Sequence, residues 1–441
     1  MTDIQRLTGM LDVLPADRRY WDYILENAIE IAEQYGFQRI DVPVIEETSL
    51  FVRGVGTASD FFVNKEMYTI DEGEGESITL RPEFTAGIVR AYLENGMKNW
   101  PSPIKLYTIG PIFRRERPQA GRFRQHTQFD MEILGETDPA ADLEVMMGAA
   151  NLYRRLGYTG VVFQLNSTGC PACKPAYVEK LKAYLSQHLD RLAPVDLERM
   201  KRNPLRILDS KEAGMDQLLA KAPHIADHLC QDCHDHFQEL MQLLNAIGQK
   251  FTINFRLVRG IDYYTKTVFE VWAEGIGAQS ALLGGGRYDG LAEAIGGPPT
   301  PGVGFGAGIE RITLALQERD IQPPTRDPVP VLVAHFGGET KPAAVALSFR
   351  LRNAGMPTRL AFTRDRRSMK SQMREADRHQ ARLVLIVGEQ ELADNVVTVR
   401  PLTDQPQTTV SLEGKVLEEW IQLFVELPDA PDDPIETKSL W

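Results

Sequence analysis

The chain has 441 residues, 43% of them hydrophobic and 25% charged, with a formal net charge of −12. That length supports two or three domains with cores of their own, and the balance argues against indiscriminate nucleic-acid binding. The opening MTDIQRLTG carries no apolar signal region and no apolar run reaches membrane-spanning length, so no membrane partner and a cytoplasmic location are expected.

Apolar Tyr20, Ile24, Ala28, Ile31 and Tyr35 recur at helical spacing over 17–36, and Gly36 closes that helix. FQRIDVPVI follows as a strand cut by Pro43, which puts the proline at an edge or an interface. A loop, FVRGVGTASDF, and a hairpin turning at DEGEGES come next, and the second hairpin strand ends in TLRPEFTAG. A helix over 84–95 leads to the strand IKLYTIGPIF. Then comes FRRERPQAGRFRQHTQFDMEILG at 113–135, a loop broken by Pro118 and Gly121 and followed by strict alternation. Gln128, Asp130 and Glu132 fall on one strand face, with Phe129, Met131 and Ile133 on the other. A helix over 138–157 and the strand VVFQLNS precede a mostly helical stretch from Gly169 to about Gly248, which reads as an insertion. Strand signals resume at FTINFRLVRGIDYYTKTVFEVWA, ALLGGGRYDGL and GVGFGAGIERITLALQ. Beyond Pro323, Pro324, Pro328 and Pro330, short strands and helices over 340–354 and 367–380 alternate as a small βαβαβ domain. The tail LPDAPDDPIETKSLW is acidic and proline-rich, the composition of a disordered segment with Trp441 as its one anchor.

The loop 114–124 sets five arginines against Glu116, a local charge of +4 (5 − 1). Residues 350–382 hold ten Lys or Arg against three acids, or +7 (10 − 3). An acidic body with two basic patches suits a protein that meets phosphates at chosen places. Guanidinium forks match phosphate oxygens, while Gln128 and Glu132 suit a small polar or cationic ligand, so a triphosphate and an amino acid sharing one cleft is the chemistry suggested. Glu83 and Thr85, two apart at a strand end, offer a carboxylate and a hydroxyl to an ammonium group; their bland alternative is an Arg81–Glu83 surface ion pair. Gly260 beside Arg259 lets backbone approach a ligand, with Tyr263 and Tyr264 offering a phenol on either face. The three glycines of LLGGGRYDGL clear a strand end for a ligand, and Arg311 follows a glycine-rich strand into the first turn of a helix, an anion-binding position. Neither run is a GxxxxGK[ST] loop or a dinucleotide fingerprint.

The four cysteines stand as CPAC at 170–173 and CQDC at 230–233. Two such knuckles have the spacing of a structural zinc site, Cys170, Cys173, Cys230 and Cys233, with His234 and His236 as spare ligands, the alternative being reduced thiols that bind no metal.

Together these segments resemble the class II aminoacyl-tRNA synthetases and, within them, the histidyl-tRNA synthetase family, over the chain to about residue 425. GFQRIDVPVIE resembles motif 1, the dimer-forming helix and strand; 113–135 resembles motif 2; GVGFGAGIERITLAL resembles motif 3. RLVRGIDYYTKTVFE and GGGRYDGL resemble the two signatures peculiar to the histidine enzymes. The fold implied is α+β: a six- or seven-stranded mixed antiparallel sheet flanked by helices, with a helical insertion and a C-terminal α/β anticodon-binding domain. Residues 1–168 and 251–322 would form the two parts of the catalytic domain, 169–250 the insertion, 323–330 a linker, 331–426 the anticodon-binding domain and 427–441 the acidic tail.

Carried over residue by residue, the resemblance implies that Glu83 and Thr85 hold the ammonium of L-histidine. Gln128 and Arg259 would hold its carboxylate, and Glu132, Tyr264 and Tyr288, beside Tyr263, its imidazole. Arg114 would bind the α-phosphate of ATP, Glu116 the adenine amine, Arg122 the outer phosphates and Arg311 the ring face or γ-phosphate, with Mg2+ bridging phosphates. Arg114 and Arg259 would be catalytic. Gln119 and Arg124 would meet the acceptor end of the histidine tRNA, and the basic 350–382 surface its anticodon. A homodimer is implied by the motif 1 resemblance. Two departures stand out: His126 occupies the adenine-stacking position where family members usually have Phe, which implies weakened rather than lost ATP binding, and many relatives place the second cysteine knuckle elsewhere in the insertion or have none, so the resemblance itself does not imply zinc. The rival is the histidine-binding regulatory subunit of ATP phosphoribosyltransferase, which keeps the pocket but lacks the anticodon domain and erodes motif 2. A pseudo-synthetase module is a further alternative, opposed by Arg114, Arg259 and Arg311.

Overall fold

The computed structural model describes residues 4–56, 66–73, 75–118, 121–273, 281–324, 330–362, 368–403 and 405–426. Gln119, the last five residues of FVRGVGTASDF, Glu74 of the hairpin turn, linker residues 325–329, Arg364, Arg366, Arg367 and the acidic tail lie outside them, and the first five residues of FVRGVGTASDF are helical rather than loop. The chain divides into two compact units, Met1–Pro324 and Thr325–Trp441.

The first unit opens with α1 (Pro15–Gln34), which has proline in its first turn and buries Tyr20, Trp21, Ile24, Ala28 and Ile31 at three- and four-residue steps. Gly36, at φ +76, ends it in a conformation other residues resist. β1 (Gln38–Arg39) and β2 (Ile45–Glu47) flank Pro43, so the single strand expected there is two short ones. Next come α2 (Thr48–Val55), β3 (Tyr68–Gly73), β4 (Glu76–Leu80), α3 (Thr85–Glu94), β5 (Ile104–Phe113) and β6 (Gln125–Leu134). α4 (Pro139–Arg155) is capped by the Asp138 carboxylate, which accepts the Ala140 N–H at 2.8 Å. After β7 (Val161–Ser167) the chain runs through α5 (Lys174–Ser186), α6 (Pro194–Arg202), α7 (Met215–Leu219) and α8 (Gln231–Ala246). β8 (Phe251–Ile253), β9 (Thr265–Ala273), β10 (Ala281–Arg287), α9 (Leu291–Ala294), β11 (Gly302–Gly308) and α10 (Ile309–Glu318) complete the unit.

Its main sheet has eight strands in the order β1-β5-β6-β11-β10-β9-β7-β8. The edge pairs β1–β5 and β7–β8 are parallel and the six central strands antiparallel. The count exceeds the expected six or seven because the two edge strands, of two and three residues, are too brief to show periodicity. One sheet face packs on α1, α4, α8 and α10 and buries Phe129, Met131 and Ile133; the period of two therefore sends Gln128, Asp130 and Glu132 to the other face. A separate cluster, including Tyr177, Leu181, Leu208 and Leu218, gives the 177–225 stretch a core of its own.

The second unit comprises β12 (Val331–His335), α11 (Thr340–Asn353), β13 (Thr358–Leu360), α12 (Met369–Arg378), β14 (Leu383–Val387), α13 (Glu389–Ala393), β15 (Val396–Pro401), β16 (Thr408–Ser411) and α14 (Val416–Glu426). The sheet order is β13-β12-β14-β15-β16, with β13, β12 and β14 parallel. The βαβαβ expectation holds for β12, α11, β13, α12 and β14, and the further strand β15 runs antiparallel to β14, because residues 388–395 are too few for a crossover back to a parallel strand.

Candidate active site

The face of the main sheet opposite the helical core forms the floor of a cavity of about 430 Å³. Glycines make the floor. Gly304 and Gly306 of β11 pair with Glu132 and Asp130 of β6. A Cβ at Gly304 would overlap the Glu132 carboxylate, and one at Gly306 would overlap the Gln128 amide. On β10, a Cβ at Gly284 would overlap the Arg259 guanidinium, and one at Gly286 would sit 2.8 Å from the Tyr264 ring. The glycine run thus clears room for the site's own side chains rather than for bare backbone against a ligand.

Glu132 is buried behind this floor, where its carboxyl accepts from the Thr85 hydroxyl at 2.7 Å and the Tyr288 hydroxyl at 2.6 Å. Burial pushes it up to about 8, although both hydroxyls pull the other way. Asp130, also buried, is raised well above the carboxylate range by burial and then by Glu132; Gln128 donates its amide to both Asp130 oxygens, at 2.7 and 2.9 Å. Glu83 and Thr85 are not at a strand end, because β4 stops at Leu80 and Thr85 opens α3. The Glu83 carboxylate accepts the Ala86 N–H at 3.0 Å, satisfying an orphan donor of the helix start, and burial holds it above its ordinary value. The Arg81–Glu83 surface pair is excluded. Both are buried, and Arg81 donates to the carbonyls of Val42, Pro43 and Pro111 while lying over the Phe84 ring.

Tyr263 and Tyr264 precede β9, so no strand pleat separates them; both line the cavity with ring centroids 4.7 Å apart. Tyr288 stands edge-on to Tyr263 at 5.7 Å, completing a three-ring wall beside Glu132. Arg259 lies in the loop before β9 and donates to Glu270 at 2.8 Å, and Glu270 also accepts the Trp272 indole N–H at 2.9 Å.

At the far end Arg114, just past β5, donates to the Pro82 carbonyl at 2.9 Å. Glu116, Arg122, His126 and Arg311 line the same cavity, with Arg311 in the first turn of α10. His126 is driven down to about 3 by burial and by the neighbouring Arg114 and is a neutral ring near pH 7, its Nδ1 3.3 Å from the Phe123 carbonyl. Arg124 does not line the cavity; it donates to the carbonyls of Glu116 and Thr8, both at 3.3 Å.

Sequence reasoning assigned no role to Asp130 or Glu270, although the alternation that singles out Glu132 also points at Asp130. It also passed over Glu310, whose buried carboxyl accepts the Thr127 N–H at 2.8 Å and is raised to about 7 by burial. Arg287, carried in the GGGRYDGL motif, is fully buried and bonded to Asp142, itself within 3.4 Å of His236.

The four cysteine sulfurs, none in a disulfide, gather within 4.8 Å of one another. Adjacent pairs are 3.7, 3.8 and 3.9 Å apart, close to the edge of about 3.8 Å for a tetrahedron with metal–sulfur bonds of about 2.3 Å. His236 is not a spare ligand; its Nε2 faces Asp142 and Thr267. His234 contacts Asp235.

The apo histidyl-tRNA synthetase of S. aureus superposes with a TM-score of 0.78 at 31% identity, covering 96% of this chain and 100% of that one. A mixed antiparallel sheet whose open face joins a carboxylate-and-tyrosine pocket to an arginine-lined end is that of a class II aminoacyl-tRNA synthetase. The family profile described as Histidyl-tRNA synthetase matches residues 9–312, and that described as Anticodon binding domain matches 330–420. Histidine–tRNA ligases from Pelotomaculum thermopropionicum and Moorella thermoacetica are 46% and 47% identical over 409 and 413 residues, in each case 93% of this chain and 96% of the relative. The chain belongs to the histidyl-tRNA synthetase family.

Proposed function

We propose how this chain carries out the family's activity, the ATP-dependent ligation of histidine to its tRNA. The observation that carries the reading is the junction, in one cavity, of the Glu132–tyrosine pocket with the Arg114, Arg122 and Arg311 end. Histidine lies with its imidazole between Glu132 and Tyr264, near Tyr288 and Tyr263, so that both ring nitrogens find partners. Glu83 and Thr85 take its ammonium; Arg259 and Gln128 take its carboxylate. ATP lies with its α-phosphate on Arg114, its adenine against His126 and Glu116, and its outer phosphates towards Arg122 and Arg311.

The histidine carboxylate attacks the α-phosphorus in line, pyrophosphate leaves, and histidyl-adenylate forms. Arg114 and Arg259 stabilise the charge that builds on the phosphorus oxygens. The 3′-hydroxyl of the tRNA then attacks the adenylate carbonyl and AMP departs. Mg2+ would be held on the outer phosphates beside Arg122 and Arg311 and would supply charge neutralisation there. The four sulfurs fit a structural zinc ion. Residues 169–250 form the insertion, and Arg124 meets the acceptor end of the tRNA. The exposed Val44, Ile45 and Ile70 belong to a homodimer surface. The protein works in the cytoplasm.

The regulatory-subunit alternative is disfavoured by the anticodon-binding match and by the intact arginine set. Pyrophosphate exchange into ATP with each of the twenty amino acids tests the proposal. Exchange with histidine alone is expected. Protein that binds histidine yet exchanges with no amino acid would overturn it.

A further inference from the structure

The four-cysteine site adjoins the segment that carries Tyr263 and Tyr264. The Thr168 N–H donates to the Lys266 carbonyl at 2.7 Å, and the Lys266 N–H donates to the Gly169 carbonyl at 2.8 Å, so the residues before Cys170 grip both backbone groups of Lys266. Lys266 has φ +48, a conformation that non-glycine residues rarely adopt. It stands where the register of β9 on β10 slips, between the pairs Gly286–Val268 and Arg287–Thr265. Its side chain is 13% exposed, and its ammonium reaches the carboxylate of Asp232, between the two cysteines of the second knuckle, at 3.0 Å. From the first knuckle Lys174, the residue after Cys173, reaches the Tyr264 carbonyl at 3.5 Å and Asp262 at 3.8 Å. Three residues beyond Cys233, His236 meets the Thr267 hydroxyl at 3.2 Å.

Each knuckle therefore holds part of the same six-residue segment, 262–267, and the sulfurs meet each other directly. A tetrathiolate ion would lock the two grips together. A strained backbone held from outside in this way keeps its conformation only while the holding structure stays rigid. We propose that the four-cysteine site, loaded with zinc, is a clamp that presets Tyr263 and Tyr264 for histidine, with Lys174, Lys266 and Asp232 as its positioning residues. This rests on the reading of the tyrosine pocket as the histidine site.

The test uses the full-length protein, with metal content measured directly and histidine and ATP binding followed by calorimetry. About one equivalent of zinc per chain is expected. If the preset segment falls to about one-tenth of the population on chelation, the Kd for histidine rises about tenfold while that for ATP stays within about twofold. Zinc alone should restore it. Lys266→Met and Asp232→Asn keep every cysteine; they should retain zinc and weaken histidine about fivefold. Zinc-loaded protein whose histidine affinity ignores chelation and both substitutions would overturn the clamp while leaving the pocket standing. Protein that binds histidine but takes up no zinc overturns the metal site. Zinc-loaded protein that binds no histidine overturns the pocket reading on which the clamp rests.

Discussion

Burial pushes Glu132 up to about 8 from an ordinary 4.5, so near neutral pH the ligand-free carboxyl is mostly protonated. The native state then holds a proton that the unfolded chain has lost between about pH 4.5 and 8. Its contribution to stability is complete below that window and disappears as pH rises through it. Glu132→Gln should flatten the urea midpoint between pH 5 and 8. It should also lower histidine-dependent kcat/KM by about 10²- to 10⁴-fold, because the site is built around hydrogen bonds to this group. An incoming ammonium near Glu83 and Glu132 favours their ionised forms, so histidine binding at pH 7 should release protons. Calorimetric heats that do not differ between phosphate and Tris buffers would contradict this. His126 is perturbed in the opposite charge sense. Driven down to about 3, it resists protonation, and acid costs stability as pH falls below the ordinary 6.5. Between pH 6 and 8 the ATP KM should carry no His126 titration. His126→Phe, offering a larger apolar face, should lower that KM about three- to tenfold.

Strands β6, β10 and β11 work as one device, in which long side chains of β6 pass across glycines of β11. Gly304→Ala would force the Glu132 carboxylate aside, and a displacement near 1 Å in such a site costs about 10²-fold in rate. Histidine-dependent exchange should fall at least that far while ATP affinity, measured by calorimetry, holds. Behind β10, Arg287 donates to Asp142, to the carbonyls of Glu136 and Asp138 and to Asp289. Asp142 is kept ionised: His236 and Arg287 outweigh the burial that would raise it. Arg287→Met strands that carboxylate in the interior and should lower stability by about 3–5 kcal/mol, read from urea unfolding. A loss under about 1 kcal/mol would show that the network is not cooperative.

All residues lining the proposed histidine and ATP cavity lie in the first unit, whereas exposed Arg359, Lys370, Arg374 and Arg378 lie in the second. Adenylate formation and tRNA capture should therefore respond separately. Charge reversal by Arg374→Glu with Arg378→Glu should reduce aminoacylation kcat/KM about ten- to hundredfold and make its salt dependence shallower, since fewer counterions are released. Histidine-dependent exchange should be unchanged. Equal losses in both assays would place those arginines outside tRNA recognition. Among the described residues no helix is long and apolar enough to cross a membrane.

Local sequence carried a large share of this molecule. The alternation in 125–134 assigned Phe129, Met131 and Ile133 to the core and Gln128, Asp130 and Glu132 to the opposite face, because a strand leaves no other choice at period two. The apolar spacing of α1 was legible for the same reason, since its signals lie within a few residues of each other. What needed the tertiary structure was everything set by distant partners. Arg81 and Glu83 read as a surface pair until Val42, Pro43 and Pro111 closed over the guanidinium. The three glycines read as room for a ligand until Arg259 and Tyr264 arrived from another loop to fill it. Glu132 is an ordinary glutamate in a list of residues; its raised pKa exists only because the folded sheet buries it, against the pull of the Thr85 and Tyr288 hydroxyls. The cysteines showed their spacing at once, but sixty residues of chain had to fold before four sulfurs could meet at tetrahedral distances.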